Sequence, residues 1–443
     1  MRASPLLIRL IGIRRLLCGA FVLGFAEIGY ALDISLSGDA KLAEEFNSNL
    51  WLSPNKALSK PVYGHGFDVD LNLDFSEQKW RSTLTSAFDN RWYNGQDNID
   101  YNNQIFSSKS YYLLNELDRL GLDANYSMAS TLTSQFATDV GYAFSRVPFV
   151  KRSISPSWQH TISERWLVNL GYTYQDTAYE RSGAANNFVD SEAHTGVMGT
   201  SYQFNERLKL TSNASYTDYS LIQSSTSLPF AFGGRLVTRE VASTIDTLSW
   251  LGGFDYSFSE TIDVGFSGGV QYNETYRPEV VTDFVSGTSV IPFRKQFAQS
   301  AYTLSEIYEA QATKKFENGN LRFSYSSSMS PTLQGILIGY DRYTLAGFYK
   351  VSPKITTNMS VSYSSQTGAV QAGVGVNQQT SYNRTYLNFD SSLIWNWAED
   401  WNLIASYRYV TVDYPGQTSS RGTTVDSHSV YMNLQYLFDK FHF

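Results

Sequence analysis

The chain is poor in the residues that carry most enzyme chemistry, with one cysteine and five histidines among 443 residues. The cysteine, Cys18, falls in an N-terminal segment that reads as a leader. The remainder then has no disulfide, no thiolate nucleophile and no thiolate metal site. Charge is also scarce: Asp, Glu, Lys and Arg make up 17% of the residues, against roughly a quarter in ordinary soluble domains. Beyond the N-terminus no apolar run approaches the roughly 20 residues that a spanning helix needs. Mean hydropathy is −0.28, and a helical membrane protein is excluded. The net charge of −7 argues against nucleic acid as a partner. Aromatic residues are plentiful, with 31 Tyr and 27 Phe. Many aromatics, little charge and no long apolar run suit a membrane β-barrel, where every second residue faces lipid.

Residues 1–31 have the three parts of a secretory signal peptide. Arg2, Arg9, Arg14 and Arg15 form a basic start, Leu16–Ala26 an apolar core, and Gly29-Tyr30-Ala31 a small-residue cleavage site. Gly24-Phe25-Ala26 offers the same spacing, so cleavage after Ala26 is an alternative. Residues 32–443 are left as one domain, more acidic than the whole because the leader holds four arginines and one glutamate.

One pattern organises that domain. Phe67, Val69, Leu71, Leu73 and Phe75 alternate with Asp68, Asp70, Asn72 and Asp74. After Ser76-Glu77-Gln78-Lys79, the residues Trp80, Leu84 and Phe88 share a face. Period-two alternation around a short polar connection is the signature of a hairpin. The unit recurs around short turns near residues 77, 117, 164, 206, 260, 318, 353 and 399. A solenoid is excluded because the interval varies from 35 to 58 residues, which hairpins with variable loops tolerate and stacked repeats do not. Longer polar connections such as 224–245, 278–300, 364–380 and 415–426 lie between the short turns. Short turns at one end and long loops at the other mark outer-membrane barrels. Eight turns, a first strand near Ile34–Glu45 and a last near Val430–Phe438 predict a transmembrane antiparallel up-and-down β-barrel of 18 strands. Sixteen is the count if the first strand is absent. A soluble β-sandwich also alternates, but Trp80, Trp166, Trp397 and Trp401 cluster near the short turns as a membrane-interface girdle would. The opposite faces are rich in small neutral polar residues, as in Thr356, Asn358, Ser360 and Ser362, which suits a water-filled lumen.

The pattern Tyr202-Gln203-Phe204-Asn205-Glu206-Arg207-Leu208-Lys209-Leu210, its looser copy at His160–Val168, and Ser155-Pro156-Ser157-Trp158 carry a resemblance. On them the domain resembles the outer-membrane β-barrel porins of Gram-negative bacteria, including barrels found beside exopolysaccharide and exosortase systems. The resemblance implies location in the bacterial outer membrane. It also implies partners: membrane lipids, lipopolysaccharide and the barrel-insertion machinery, the last reading a C-terminal Phe such as Phe443. Asp439 and Gln435 interrupt the apolar register counted back from Phe443, whereas Val430, Met432, Leu434, Tyr436 and Phe438 form a clean row. Either a bulge lies at Asp439-Lys440, or the last five residues hang off the strand.

No catalytic, cofactor or metal signature emerges. His428 between Ser427 and Ser429 is the nearest approach to a hydrolase, and His65 with Asp97 and Asp100 the nearest to a protease; decoration of strand ends and loops accounts for both. The oxygen-rich run Asp97–Asn103 lacks the Gly and distal Glu of an EF-hand loop. Function is expected in the lumen. With each apolar row against lipid, the pore-lining candidates are Asp68, Asp70, Asp74, Arg81, Asp123, Lys209, Asp255, Asp263, Arg322, Arg342, Lys350, Asp390 and Arg408. Interstrand salt bridges are one expectation for them. The other is a carboxylate ladder at Asp68–Asp74 giving a weak cation preference, partly offset by Arg81 and Arg408. Loops 224–245 and 278–300 are the candidates to fold inward and narrow the lumen. The expected function is a porin-like channel for small hydrophilic solutes. Assistance to polysaccharide export and a closed structural or receptor barrel are the alternatives. No oligomer interface is legible.

Overall fold

The computed structural model describes residues 32–443, apart from 53–58, 96–98, 132–146, 181–189, 224–225, 231–233, 239–240, 287–288, 297, 332–336, 369–382 and 415–422. The expected leader, residues 1–31, therefore lies outside the described residues. No helix among those described is long and apolar enough to cross a membrane.

Eighteen strands form one closed sheet. The first nine are β1 (Asp33–Asn47), β2 (Val62–Ser76), β3 (Trp80–Tyr93), β4 (Tyr101–Leu113), β5 (Asp118–Ser130), β6 (Pro148–Ser163), β7 (Trp166–Tyr179), β8 (Asp190–Gln203) and β9 (Leu208–Gln223). After β10 (Thr226–Phe230) and β11 (Gly234–Thr238), which leave the barrel, come β12 (Val241–Ser259) and β13 (Ile262–Arg277). β14 (Val280–Ser286) and β15 (Ser289–Gln296) leave it again. The ring is completed by β16 (Gln299–Phe316), β17 (Gly319–Pro331), β18 (Leu337–Ser352), β19 (Ile355–Gly368), β20 (Arg384–Ala398), β21 (Trp401–Tyr414) and β22 (Thr423–His442). Each strand pairs antiparallel with its neighbours, and β1 pairs with both β2 and β22, which closes the ring. All eight expected turns are present, and the expected first and last strands fall within β1 and β22.

Residue chemistry explains the turns. Asn115 Oδ1 accepts from the backbone N–H groups of Leu117 and Asp118, at 2.7 and 2.8 Å. Asn205 Oδ1 does the same for Arg207 and Leu208, both at 2.9 Å. The repeated Asn-Glu pair is therefore an Asx turn, in which the side chain replaces a backbone acceptor.

Closure fixes the end of the chain. Leu36 faces Phe441 and Gly38 faces Phe438, so Asp439 and Lys440 together oppose Ser37. This is the bulge. It shifts the alternation by one residue, so Phe441 and Phe443 follow Phe438 onto the outer face. The Phe443 N–H donates to the Ile34 carbonyl at 2.9 Å, and the C-terminus is held on the strand.

The bulge yields a test. Deleting Lys440 should regularise β22 while keeping Phe441 outward, and the folded band shift between unheated and heated gel samples should survive. Deleting Asp439 and Lys440 together turns Phe441 inward, and the folded band should be largely lost. Equal behaviour of the two deletions would show that outward parity at the terminus is unimportant.

Candidate functional site: the inner wall and its mouth

Alternation gives every strand an outer and an inner side chain row. Large apolar side chains such as Leu42, Phe67, Leu120, Leu170, Leu248 and Leu345 are exposed on the outer face. Trp166, Trp397 and Trp401 are exposed on that face at the short-turn end, and Trp80 stacks there on Phe75. A closed sheet with an apolar outer band and an aromatic girdle is an outer-membrane barrel.

Tracing the register places every pore-lining candidate on the inner face. Asp68 lies opposite Lys41 and Asp89, Asp123 opposite Lys109, Asp255 opposite Lys209 and Gly265, Arg322 opposite Thr313 and Ala346, and Asp390 opposite Arg408 and Ser360. Asp70, Asp74, Arg81, Asp263, Arg342 and Lys350 share that parity.

The acidic ladder is neutralised by residues the sequence reading did not single out. Lys41 Nζ lies 2.8 Å from Asp70 and 3.0 Å from Asp39. Arg91 binds both carboxylate oxygens of Asp68 and lies 2.8 Å from Asp89. Asp74 accepts from the Thr83 hydroxyl at 2.6 Å. Arg81, the expected counter-charge, is in none of these pairs, and Arg408 is held by Asp390 at 2.5 Å. Lys315 likewise bridges to Asp263 at 2.8 Å. Continuing the alternation from Leu42 back to Lys41, and from Phe88 to Asp89 and Arg91, would have found the first partners. One glycine makes the geometry feasible. Gly66 faces Arg91 across β2 and β3, and a Cβ there would lie 2.2 Å from the guanidinium. Only a residue without a side chain lets Arg91 swing across to Asp68.

Segments outside the expected loops fold onto the inner wall. Loops 224–245 and 278–300 contribute β10, β11, β14 and β15, which pair with one another as a separate four-stranded sheet. Their many β-branched and aromatic residues favour pairing over a mobile flap. The inner wall is covered by the start of the β1–β2 loop and by the top of the β17–β18 hairpin.

In the first segment Leu50 is 5% exposed and packs with Val62, Tyr93 and Ile99 beside β2 and β3. Leu52 is 3% exposed and packs with Val410, Val412 and Val425 of β21 and β22, on the other flank of β1. The loop hangs on β22 through Ser48 N–H to the His428 carbonyl (2.9 Å) and Asn49 Nδ2 to the Asp426 carbonyl (3.2 Å). Leu52 adopts φ +46°, a left-handed conformation costly for a branched residue and here offset by burial.

In the second segment the β16–β17 ladder stops at Tyr308 opposite Ser327. Above it β17 bends inward, away from β16. Gln271 Nε2, on the inner face of β13, donates to the Met329 carbonyl at 2.8 Å, and the Met329 N–H donates back to Gln271 Oε1 at 3.2 Å. A side-chain amide thus stands in for the missing strand neighbour. Leu337 completes an apolar cluster with Leu221 of β9 and Ile245 of β12. The abandoned edge of β16 leaves Leu304 71% exposed.

The remaining chemistry is dispersed by the same alternation. His428 is on the outer face with the Tyr407 hydroxyl 2.8 Å from Nδ1. Ser427 and Ser429 point the other way and bond to Asn47. His65 pairs with Glu44 at 2.7 Å, and Asp100 accepts from the Tyr93 N–H; Asp97 lies outside the described residues. Among the described residues no cluster of His, Cys, Asp and Glu is arranged to hold a metal.

No protein-family model and no curated protein sequence matches the chain. Among solved structures it is similar to the open form of the ferric-catecholate import receptor Fiu of E. coli K12, at 10% identity and a TM-score of 0.47. That match covers 91% of this chain and 81% of the receptor. It is similar to OccAB2 of Acinetobacter baumannii at 14% identity and a TM-score of 0.43, over 93% and 98% of the two chains. OmpT of Vibrio cholerae matches at 12% identity and a TM-score of 0.38, over 93% and 99%.

Gln271→Ala should free the top of β17. Losing a buried amide pair is worth roughly 1–3 kcal/mol, so deuterium exchange at the Met329 amide should accelerate about tenfold. Unchanged protection would show that another contact holds the hairpin inward. Eighteen strands, one ring and an apolar exterior make this chain an outer-membrane β-barrel.

Proposed function

We propose that the barrel is a porin-like channel for small hydrophilic solutes, narrowed at its mouth by the two inward-folded segments. The supporting observation is the inner wall itself, a continuous polar surface with its charges paired along β1–β3 and β20–β21. Barrels of this strand number enclose an aqueous lumen unless it is plugged. A passive polar wall needs no catalytic step, cofactor or metal. Phe443, held outward on β22, is available to the insertion machinery, and the outer face would meet lipid and lipopolysaccharide. The closed receptor barrel is the second reading, favoured by the apolar packing of Leu50 and Leu52 onto the inner wall.

Planar-bilayer recording separates them: the channel reading requires discrete conductance steps in potassium chloride, and a silent barrel in the bilayer would overturn it. Because Asp68 and Asp70 are paired, selectivity should be weak in the wild type. Asp68→Asn, Asp70→Asn and Asp74→Asn combined would remove three negative charges and leave Lys41 with Asp39 alone and Arg91 with Asp89 alone, so the reversal potential should move toward anion preference. The shift should shrink between 0.1 and 1 M salt, as the Debye length falls from about 10 to about 3 Å. No shift would mean that these charges do not face the conducting path.

A further inference from the structure

The inner wall from β17 to β22 is not uniform. One register row runs Asn320, Phe348, Asn358, Ser392, Ser406, Tyr431 across six neighbouring strands. The adjacent row runs Arg322, Ala346, Ser360, Asp390, Arg408. Small side chains occupy the middle of both rows and long ones the ends, so the wall is hollowed into a groove of about 550 Å³. Five strand spacings of about 4.8 Å make it roughly 24 Å long. Arg322 and Arg408 are four strands apart, about 19 Å by the same spacing.

The groove's donors are open. Among the described residues Arg322 is held through one terminal nitrogen, by Gln311 Oε1 at 2.8 Å. Arg408 is held through Nε by Asp390, and its two terminal nitrogens bond to none of the described residues. Planar guanidinium groups with free N–H pairs are suited to carboxylates. The serines and asparagines between them offer both donors and acceptors, as sugar hydroxyls do. Phe348 adds an apolar ring within an otherwise polar row. The spacing of the two arginine positions along the wall exceeds a single sugar.

We infer that this groove binds a short acidic oligosaccharide, with uronate carboxylates on Arg322 and Arg408 and hydroxyls along the serine row. The inference rests on the channel reading, because the groove faces the lumen. Trigalacturonate, galacturonate and maltotriose serve as probes of current block in bilayers. Trigalacturonate should block at concentrations well below those of galacturonate or maltotriose. Arg322→Gln and Arg408→Gln should each weaken it about tenfold, the loss of one charged hydrogen-bonded pair. Asp390→Asn should strengthen it, because Arg408 then has its Nε free for the ligand; a merely structural role for this cluster would not produce a gain. The band shift on gels checks that each variant folds. Conductance without preferential block by trigalacturonate, or block unchanged in Arg322→Gln, overturns the inference while leaving the channel reading intact. If no conductance is seen, the channel reading fails, and equilibrium binding of trigalacturonate to detergent-solubilised wild type and Arg322→Gln decides the inference alone.

Discussion

The antiparallel backbone ladder, forced to close on itself, is the constraint on which the rest of this structure depends. In a bilayer every backbone N–H and C=O must find a partner within the protein, and a sheet does this only by becoming a ring. Closure leaves each residue two choices, lipid or lumen, and the choice alternates without exception until a bulge resets it. Phe67 outward therefore forces Asp68 inward, and by way of the register it also forces Arg91, on the next strand, into reach. The wall's chemistry is thus settled two residues at a time.

That constraint is why the transmembrane part was legible in the sequence. Turns announce themselves through Asn115, Asn205 and their neighbours, and alternation assigns faces without knowledge of distant contacts. The counter-charges of the Asp68–Asp74 row were one step further along the same rule. They were missed because Lys41 and Arg91 lie on strands whose apolar rows are interrupted, by Ala40 and Asn90. The bulge near Asp439 was visible as a broken register, but its existence depends on what β1 offers opposite. The mouth was not legible at all. Gln271 clamping Met329, 58 residues away, leaves no local signature. Nor does the pairing of β11 with β14, since nothing in either loop names the other as its partner.

Charge in the lumen is arranged more as mortar than as a field. Lys41, Arg91 and Arg408 each tie carboxylates on adjacent strands, in surroundings partly open to water where such pairs contribute at most about 1 kcal/mol each. Their larger effect is geometric. A paired side chain lies against the wall, while Arg322, which no acid among the described residues holds, keeps most of its donors uncommitted.

A ring opens at its shortest clasp. The β1–β2 ladder runs the full length of both strands, whereas β16 and β17 are joined only from Tyr308 to Phe316. The seam where the chain's two ends meet, β1 on β22, is longer. Unravelling by heat or denaturant would then begin in the middle of the sequence, at the split above Tyr308, and travel down toward the short-turn end before the joined termini part.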